Sequence, residues 1–319
     1  MLTRRSALAT AIPAVLAAPA YAANSFQNFV AGIYAEAASE GIRRDVLDAA
    51  FTGVAPNQAV IDKDRKQVEF SMTWPQYRAL VVSNQRIVDG RAAVAANRAW
   101  LTRADSYFRV EASVIAGIWG VESNFGVLTG KYRVVEALAT LGWEGRRAAF
   151  FRSELLNALR ILNNGDIGPA GMTGSYAGAM GQPQFMPSSY LRLAVDFDGD
   201  GRRDIWNSKA DVLGSIANFL ARSGWRQGET WGQQVRMPPG LAAMGREERR
   251  PVATWARMGV VPTAGEWAAS ADAPAAAIGP DGPDGETFLV FNNFSVIRRY
   301  NPSDYYAIAV GLVGDWVLA

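Results

Sequence analysis

Glu122 is the first residue whose surroundings point to chemistry, because it lies within a markedly apolar stretch, GIWGVESNFG. Val114, Ile118, Glu122 and Phe125 recur at steps of four, four and three, which is the spacing of one helix face. This pattern directs a carboxyl group toward the protein interior. Burial disfavours the charged form and raises the pKa, as a general acid requires. The pattern also fits an interior glutamate that is paired with an arginine.

The amino-acid composition narrows the possible chemistry. The 319 residues include no cysteine and no histidine, which excludes cysteine nucleophiles, Ser-His-Asp triads and zinc sites built from thiolates or imidazoles. A general acid must then be Asp, Glu, Lys or Tyr, and carboxyl groups are the main candidates. The formal net charge of +2 gives no electrostatic case for a nucleic-acid-binding protein.

A second stretch has the composition of a sugar-binding loop: GSYAGAMGQPQFMPSSY, residues 174–190. Aromatic faces pack against the C–H groups of sugars, amides and hydroxyls bond to their OH groups, and glycines let the backbone approach a ligand. Side chains of these kinds stand at Ser175, Tyr176, Gln184, Phe185 and Tyr190. The stretch lacks the lysine of a phosphate-binding loop. A packed loop with a purely structural role is the alternative.

Asp196, Asp198 and Asp200, followed by Gly201, match the first half of an EF-hand calcium loop. The alternating spacing places three carboxylates on one side of a tight turn, where they would repel one another strongly without a cation. We therefore predict a structural calcium ion. A solvated loop with Asp-Gly turns is the alternative.

The second half of this loop departs from the EF-hand pattern. Its twelfth position holds Asn207 instead of a bidentate glutamate. Asp204 and Asp211 are the nearby acids that would complete the site.

The distribution of apolar residues predicts a mainly α (α+β) fold. Helical periodicity with glycine and proline interruptions runs through the first half of the chain and returns at its end. A late segment is rich in Pro, Gly and Thr and contains one apparent strand, TFLVF. We predict an N-terminal helical domain (23–104), a helical core (105–230) with the calcium loop (196–211), a small mixed or β-containing inserted domain (231–291) and a C-terminal return to the core (292–319).

Residues 1–22 have the features of a cleaved export signal. Arg4 and Arg5 precede an apolar run, and Ala20-Tyr21-Ala22 fits a small-residue cleavage site. The run is short and contains prolines, so we do not expect a membrane span. The arginine pair partly matches a twin-arginine signal, which leaves both this route and the Sec route open. We expect a soluble periplasmic monomer.

Four segments occur together in one order: GVESNFG, SYAGAMGQPQFMPSSY, DFDGDG with DIWN, and NNFSVIRRYNPSDYYAIAV. Because it contains these four segments in this order, the chain resembles the lytic murein transglycosylase B family, glycoside hydrolase family 103. The resemblance implies a lysozyme-like helical core with an added helical domain, a small inserted domain, an EF-hand-like calcium site and no organic cofactor. It also implies peptidoglycan as the substrate, with cleavage of the MurNAc-β-1,4-GlcNAc bond without water to give a 1,6-anhydro-muramoyl end.

The resemblance assigns roles to individual residues. It makes Glu122 the catalytic acid, places Arg146 and Arg147 near the peptide stem, and places Asn293 and Tyr300 in the cleft. The implied substrate contacts together are Ser175, Tyr176, Gln184, Phe185, Arg146, Arg147, Asn293 and Tyr300. The implied calcium ligands are Asp196, Asp198, Asp200, the carbonyl of Arg202, and Asp211.

Two departures from the family pattern and two alternative functions remain at this point. Phe219 stands where some members carry a sugar-contacting tyrosine, and the calcium loop is one residue longer before Asp211 than in some relatives. Ordinary glycosidases use two carboxyl groups, whereas this sequence offers one in a cleft-like motif, so a single acid would act first as acid and then as base. A hydrolytic muramidase and a non-catalytic peptidoglycan-binding protein are the alternatives.

Overall fold

The structure is a computed structural model that describes residues 18–66, 72–144, 146–282 and 285–319. Its described residues are mostly helical, which confirms the predicted fold class. Residues 1–17 of the predicted export signal lie outside the described residues. Among the helices that the structure describes, none is both long and apolar enough to cross a membrane.

The helices are numbered along the chain. They are α1 (Ala18–Ser39), α2 (Arg44–Phe51), α3 (Gln58–Lys66), α4 (Trp74–Val81), α5 (Asn84–Ala96), α6 (Arg98–Phe108), α7 (Ala112–Ser123), α8 (Val134–Glu144), α9 (Ala148–Asn164), α10 (Pro187–Leu193), α11 (Lys209–Arg222), α12 (Val252–Arg257), α13 (Asn292–Tyr300) and α14 (Asp304–Leu318). Serine caps begin three of them, because the hydroxyls of Ser83, Ser208 and Ser303 accept hydrogen bonds from first-turn amides.

Two small sheets accompany the helices in the described part of the chain. Their strands are β1 (Tyr132–Arg133), β2 (Thr173–Gly174), β3 (Gly232–Arg236), β4 (Arg249–Pro251), β5 (Val261–Pro262), β6 (Pro274–Ile278) and β7 (Thr287–Val290). β1 and β2 form an antiparallel pair, and the other five form an antiparallel sheet in the order β4-β6-β7-β3-β5. The predicted strand in TFLVF is confirmed as β7, the middle strand of the larger sheet.

Helices α7 and α14 form the centre of the helical part. A Cβ atom added at Gly117 would lie 2.2 Å from the carbonyl oxygen of Val310, and one added at Gly314 would lie 2.3 Å from that of Ser113. The two backbones therefore touch, which only glycine permits at these positions. The pairing is antiparallel, since Ser113 meets Gly314 and Gly117 meets Val310. The end of α7 thus lies beside the beginning of α14.

The buried residues that the structure describes fall into three clusters. The first surrounds α7 and α14 and includes residues of α4–α6, α11 and α13. The second joins α1–α3 to α8–α10. The third lies in the five-stranded sheet and α12. Helices of the 23–104 segment are divided between the first two clusters, and all five strands of the larger sheet lie within 231–291. The domain boundaries themselves stay a prediction.

Candidate active site

Glu122 occupies the last turn of α7, but the helix around it differs from the predicted amphipathic stripe. Every residue from Val114 to Gly120 is buried, so α7 is apolar on all sides and runs through the core. The helix ends at Ser123, and Asn124 and Phe125 both adopt left-handed backbone conformations with φ of 48° and 58°. The prediction that Phe125 shares a helix face with Glu122 is therefore wrong. Its ring instead folds back against Trp119.

The Glu122 carboxyl group has one hydrogen-bond donor among the described residues, the Tyr306 hydroxyl, at 2.6 Å. Tyr306 is buried in the first turn of α14, where the contact between α7 and α14 positions it. Burial raises the pKa of Glu122 to about 7, and the hydrogen bond from Tyr306 opposes this rise. No second carboxylate among the described residues contributes to this pKa. Glu122 is only partly buried as a residue, so a proton held there can be passed to a ligand.

Three tyrosines surround this acid. The Glu122 charge raises the pKa values of Tyr77, Tyr300 and Tyr306, although burial is the larger cause for each. The rings of Tyr300 and Tyr306 are nearly parallel at 6.4 Å. The pKa is raised to about 12 for Tyr77 and well above the usual value for Tyr300 and Tyr306, so all three phenols are neutral near pH 7. The acid is thus enclosed by uncharged hydroxyl groups.

The glycine-rich stretch forms one wall beside the acid. The loop that follows α7 meets this stretch backbone to backbone, because a Cβ on Gly130, whose φ is +86°, would lie 2.1 Å from the carbonyl oxygen of Gly174. The side-chain amide of Gln184 donates to the carbonyls of Thr129 (3.1 Å) and Gly181 (2.7 Å). Gln184 itself has a left-handed φ of 52°. No described residue uses its amide oxygen, which stays available to a ligand.

Ser175 and Phe185 also belong to this wall, with different contacts. The Ser175 hydroxyl oxygen accepts hydrogen bonds from the amides of Ala177 and Ala179, at 3.3 and 3.0 Å, and so fixes the turn. Phe185 is 2% exposed and packs against Phe219 and Tyr300. Phe185 therefore supports the wall rather than presenting a face to a ligand.

Tyr300 connects the C-terminal motif to the glycine-rich stretch. Its hydroxyl donates to the carbonyl of Pro183 at 2.5 Å, and its ring lies 4.4 Å from that of Phe219. The structure thus places Tyr300 near the acid, and its role as a substrate contact stays a prediction. Phe219, the departure from the family pattern, lies in the same aromatic cluster and offers no hydroxyl group.

The arginine pair lies near Tyr176. Arg146 and Arg147 both bind the carboxylate of buried Asp64, with N–O distances of 2.5 and 2.9 Å. The charges of all three groups act on Tyr176, whose pKa is raised mainly by burial. Both arginine side chains remain nearly half exposed. They are therefore held in position by Asp64 while retaining N–H groups that face solvent.

Asn293 lies elsewhere than the resemblance implied. It is 0% exposed, and its side chain makes three hydrogen bonds to backbone: from the amide of Arg226 and to the carbonyls of Arg226 and Glu229. No atom of this side chain is free to meet a ligand. Asn293 holds the segment after α11 in place, so the structure gives it a positioning role and not a substrate contact.

The sequence resembles known proteins along most of its length. The family model described as the transglycosylase SLT domain matches residues 25–315. Membrane-bound lytic murein transglycosylase B of Escherichia coli (strain K12) is 34% identical over 252 residues, which are 76% of this chain and 67% of that protein. SltB3 from Pseudomonas aeruginosa in complex with NAG-anhNAM-pentapeptide superposes with a TM-score of 0.87 at 41% identity, covering 91% of this chain and 78% of that one.

The chain belongs to the transglycosylase SLT family. As a member, it is an enzyme, a lytic murein transglycosylase, and its substrate is peptidoglycan. Slt35 of Escherichia coli in complex with calcium has a TM-score of 0.77 at 31% identity, covering 92% of each chain. These likenesses confirm the lysozyme-like, mainly α fold.

The acidic loop of this SLT family member brings together three of its predicted ligands. One carboxylate oxygen from each of Asp196, Asp198 and Asp211 lies within 4.8 Å of the others. A calcium ion with Ca–O distances of about 2.3–2.6 Å fits among oxygens at this spacing, and carboxylates are the hard ligands that it prefers. Asp200 and Arg202 are not part of this group, and their assignment as ligands stays a prediction.

Two of the three tyrosines that surround Glu122 were not predicted from the sequence, namely Tyr77 and Tyr306. Tyr306 stood inside the motif NNFSVIRRYNPSDYYAIAV, so its place in that motif was a signal. Tyr77 carried none, because it lies on α4, 45 residues before Glu122, and only the packing of α4 against α14 brings it near.

Proposed function

We propose that the enzyme cleaves the MurNAc-β-1,4-GlcNAc bond without water and leaves a 1,6-anhydro-MurNAc end, with Glu122 as the single acid and base. The observation that carries this proposal is a carboxyl group with a pKa of about 7 whose only hydrogen-bond donor among the described residues is the hydroxyl of Tyr306. Such a group is protonated in a useful fraction of molecules near neutral pH. The complex of SltB3 with NAG-anhNAM-pentapeptide supports a product of this kind.

The first step breaks the glycosidic bond. Protonated Glu122 donates its proton to the glycosidic oxygen, the bond from that oxygen to C1 of MurNAc breaks, and positive charge develops at C1. The carbonyl oxygen of the N-acetyl group of the same sugar stabilises C1 from the opposite face. No second protein carboxylate is then required, in agreement with the single carboxyl group that determines the local electrostatics.

The second step closes the anhydro ring. The C6 hydroxyl of MurNAc attacks C1, and its proton passes to the Glu122 carboxylate, which regains its starting state. Atoms balance without water, since the GlcNAc leaving group keeps the first proton. The attack is intramolecular, and such proximity favours it over attack by solvent. The free amide oxygen of Gln184 and the neutral tyrosines supply hydrogen bonds that orient the sugar without competing for the proton.

Mass spectrometry of purified murein after digestion tests this proposal. The wild-type enzyme should release fragments with anhydro ends, which are one water lighter than reducing ends, and the Glu122→Gln variant should release none. Reducing ends from the wild type would mean that water attacks C1 and that the enzyme is a muramidase. Binding of murein without any product would mean that the site at Glu122 holds the glycan but does not cleave it.

We propose further that Asp196, Asp198 and Asp211 hold a structural calcium ion. The spacing of their oxygens supports this proposal, and the calcium complex of Slt35 supports it independently. The ion would neutralise carboxylates that otherwise repel one another, so chelation should lower the melting temperature by a few degrees. Thermal unfolding with calcium and with a chelator measures this. An equal melting temperature in both, with no calcium bound in a titration, would contradict it.

The export signal and the periplasmic location belong to the same proposal. Peptidoglycan lies outside the cytoplasmic membrane, so the enzyme must leave the cytoplasm to reach it. Cleavage after Ala22 would remove the segment with Arg4 and Arg5. N-terminal sequencing of the enzyme from a periplasmic extract tests this, and a start at Met1 would contradict it.

A further inference from the structure

A groove between the helical core and the inserted sheet lies away from Glu122. It consists of two adjoining cavities of about 500 and 300 Å³, which share Gly228, Glu229, Thr230 and Ala268. We call it the distal groove. The smaller cavity reaches Ser113 at the beginning of α7, whereas Glu122 lies nine residues further along. At 1.5 Å per residue, the two places are about 14 Å apart along the helix axis.

One wall of the distal groove is the segment from Trp225 to Thr230. Asn293 holds it through three backbone hydrogen bonds, all from a fully buried side chain. Glu111 holds it a second time, because its two carboxylate oxygens accept from the Trp225 indole at 2.5 Å and the Gly228 amide at 2.6 Å. The side chains of Asn293 and Glu111 thus both hold this segment in place, although the segment does not contain the catalytic acid.

The opposite wall is the loop from Glu266 to Pro274, and it is equally well fixed. Gln233 on β3 bonds to it twice, as donor to the carbonyl of Glu266 at 2.7 Å and as acceptor from the amide of Ala268 at 3.0 Å. Trp267 lies between these two anchor points and lines the larger cavity. Its side chain is partly exposed, and no described residue accepts a hydrogen bond from its indole N–H.

The groups that line the larger cavity have the chemistry of sugar recognition. Trp267, whose ring also packs against the third hydrophobic cluster, lines the cavity with its exposed part and has an unused N–H group. The Asn292 side-chain amide has no hydrogen-bond partner among the described residues. Ser270, Asp272 and Glu229 add oxygen acceptors. A tryptophan with a few polar groups in a concave site of this volume is typical of a small-ligand site, and its negative ring face suits polarised C–H groups.

The charges of the groove select against anionic ligands. Arg226 is paired with Glu229 at 3.4 Å, and Asp272, whose pKa is lowered by its hydrogen bond from Ser270, adds a further negative charge. Glu111 and Asp315 line the adjoining cavity. Phosphate groups are therefore repelled, while the uncharged N-acetylglucosamine units of a glycan are not.

We propose that the distal groove binds N-acetylglucosamine units of a peptidoglycan glycan chain, separate from the segment held at Glu122. This inference rests on the proposed function in taking a glycan as the ligand. A second contact of this kind raises the effective concentration of glycan at the enzyme, because the first segment tethers the second. The inserted sheet then has a role in binding, since it carries one wall of the distal groove.

A titration of the ¹⁵N-labelled Glu122→Gln enzyme with the β-1,4-linked tetramer of N-acetylglucosamine tests the proposal. The indole N–H signal of Trp267, assigned by its loss in Trp267→Phe, should shift on saccharide addition. Asn292→Ala should raise the dissociation constant measured from the Trp267 signal by about fivefold, which corresponds to about 1 kcal/mol. Trp316→Phe, at an exposed tryptophan outside the groove, is the matched control and should leave the affinity unchanged.

A third variant keeps the test independent of the fold of the Trp267 loop. Ala268→Leu adds bulk where the two cavities meet while keeping the backbone bond to Gln233, so it should abolish the Trp267 shift. An unmoved Trp267 signal at saccharide concentrations that shift signals near Glu122 would overturn the proposal, as would unaltered binding in Ala268→Leu. Because the acid is absent throughout, this result is independent of the product analysis: anhydro ends from the wild type with no binding here would overturn only the distal groove.

Discussion

Glu122 and Asp211 are both carboxyl groups packed inside the protein, yet their surroundings suit them to different roles. Burial raises both pKa values, to about 7 for Glu122 and about 6 for Asp211. Glu122 has one donor among the described residues, a tyrosine hydroxyl, and is only partly buried as a residue. Asp211 is fully buried and accepts from the backbone amides of Phe197, Asp198 and Asp204.

The difference shows that burial alone does not make a carboxyl group catalytic. Three backbone donors fix the Asp211 carboxylate and occupy most of its roughly four lone-pair sites, so that losing it should damage the loop. One side-chain donor leaves Glu122 with unused lone pairs and an open side from which a proton can be given or taken. The number and kind of donors therefore separate a structural carboxylate from a working acid at similar pKa values.

Glu122→Gln should produce the largest effect. Glutamine keeps the shape but has no proton to give, so kcat should fall by at least about 10²-fold. Release of soluble anhydro-muropeptides measures this, with Glu248→Gln on the exposed surface as the control that keeps its activity. Full activity in Glu122→Gln would remove Glu122 from the mechanism.

Asp211→Asn should act on stability instead. An amide NH₂ group would face a backbone N–H donor, and the charge-assisted bonds to three amides would weaken, so the free energy of unfolding should fall by about 2–3 kcal/mol. Denaturant unfolding without added calcium measures this. The exposed Asp89→Asn control should change by less than about 0.5 kcal/mol. An unchanged midpoint for Asp211→Asn would mean that its three bonds do not stabilise the loop.

The pH dependence of the rate and of the stability should distinguish Glu122 from Asp211. Since only protonated Glu122 can donate, and its pKa is about 7, the rate should fall about tenfold per pH unit above that value. The same shift affects stability: the folded state holds the proton more tightly than the unfolded state, so wild-type stability decreases as pH rises from about 4.5 to about 7. Glu122→Gln lacks this loss, so its stability relative to the wild type should increase by about 3 kcal/mol between about pH 4 and about pH 8.

Tyr306→Phe should have the smallest effect and refines the comparison. The Tyr306 bond lowers the pKa of Glu122, so without it the alkaline limb of the rate should move up by about one pH unit. Loss of orientation should lower kcat by about tenfold. Tyr305→Phe removes a neighbouring hydroxyl that bonds to the carbonyl of Pro280 and not to Glu122, so it should leave the limb in place. If the alkaline limb of the rate profile does not move in Tyr306→Phe, the hydrogen bond from Tyr306 does not determine the pKa of Glu122.

The sequence allowed prediction of the helical class, of a glutamate directed toward the interior and of a loop rich in glycine and aromatic residues. These follow from local signals: apolar spacing around Glu122, glycine and aromatic content in residues 174–190, and alternating aspartates at 196–200. The end of α7 was missed because two successive non-glycine residues with positive φ leave no compositional signal. The role of Asn293 was missed because a motif gives a residue's identity and not the direction of its side chain.

The contact of α7 with α14 through Gly117 and Gly314 also determines when this enzyme becomes complete during its synthesis. The two helices lie almost 200 residues apart in the chain. A ribosome must therefore pass Gly314 before α7, apolar on all sides, can find the partner that covers it. Until then no hydroxyl of α14 faces Glu122, and a nascent chain that already contains its acid has no assembled active site. The acid therefore gains its tyrosine donor only after almost the whole chain has been made.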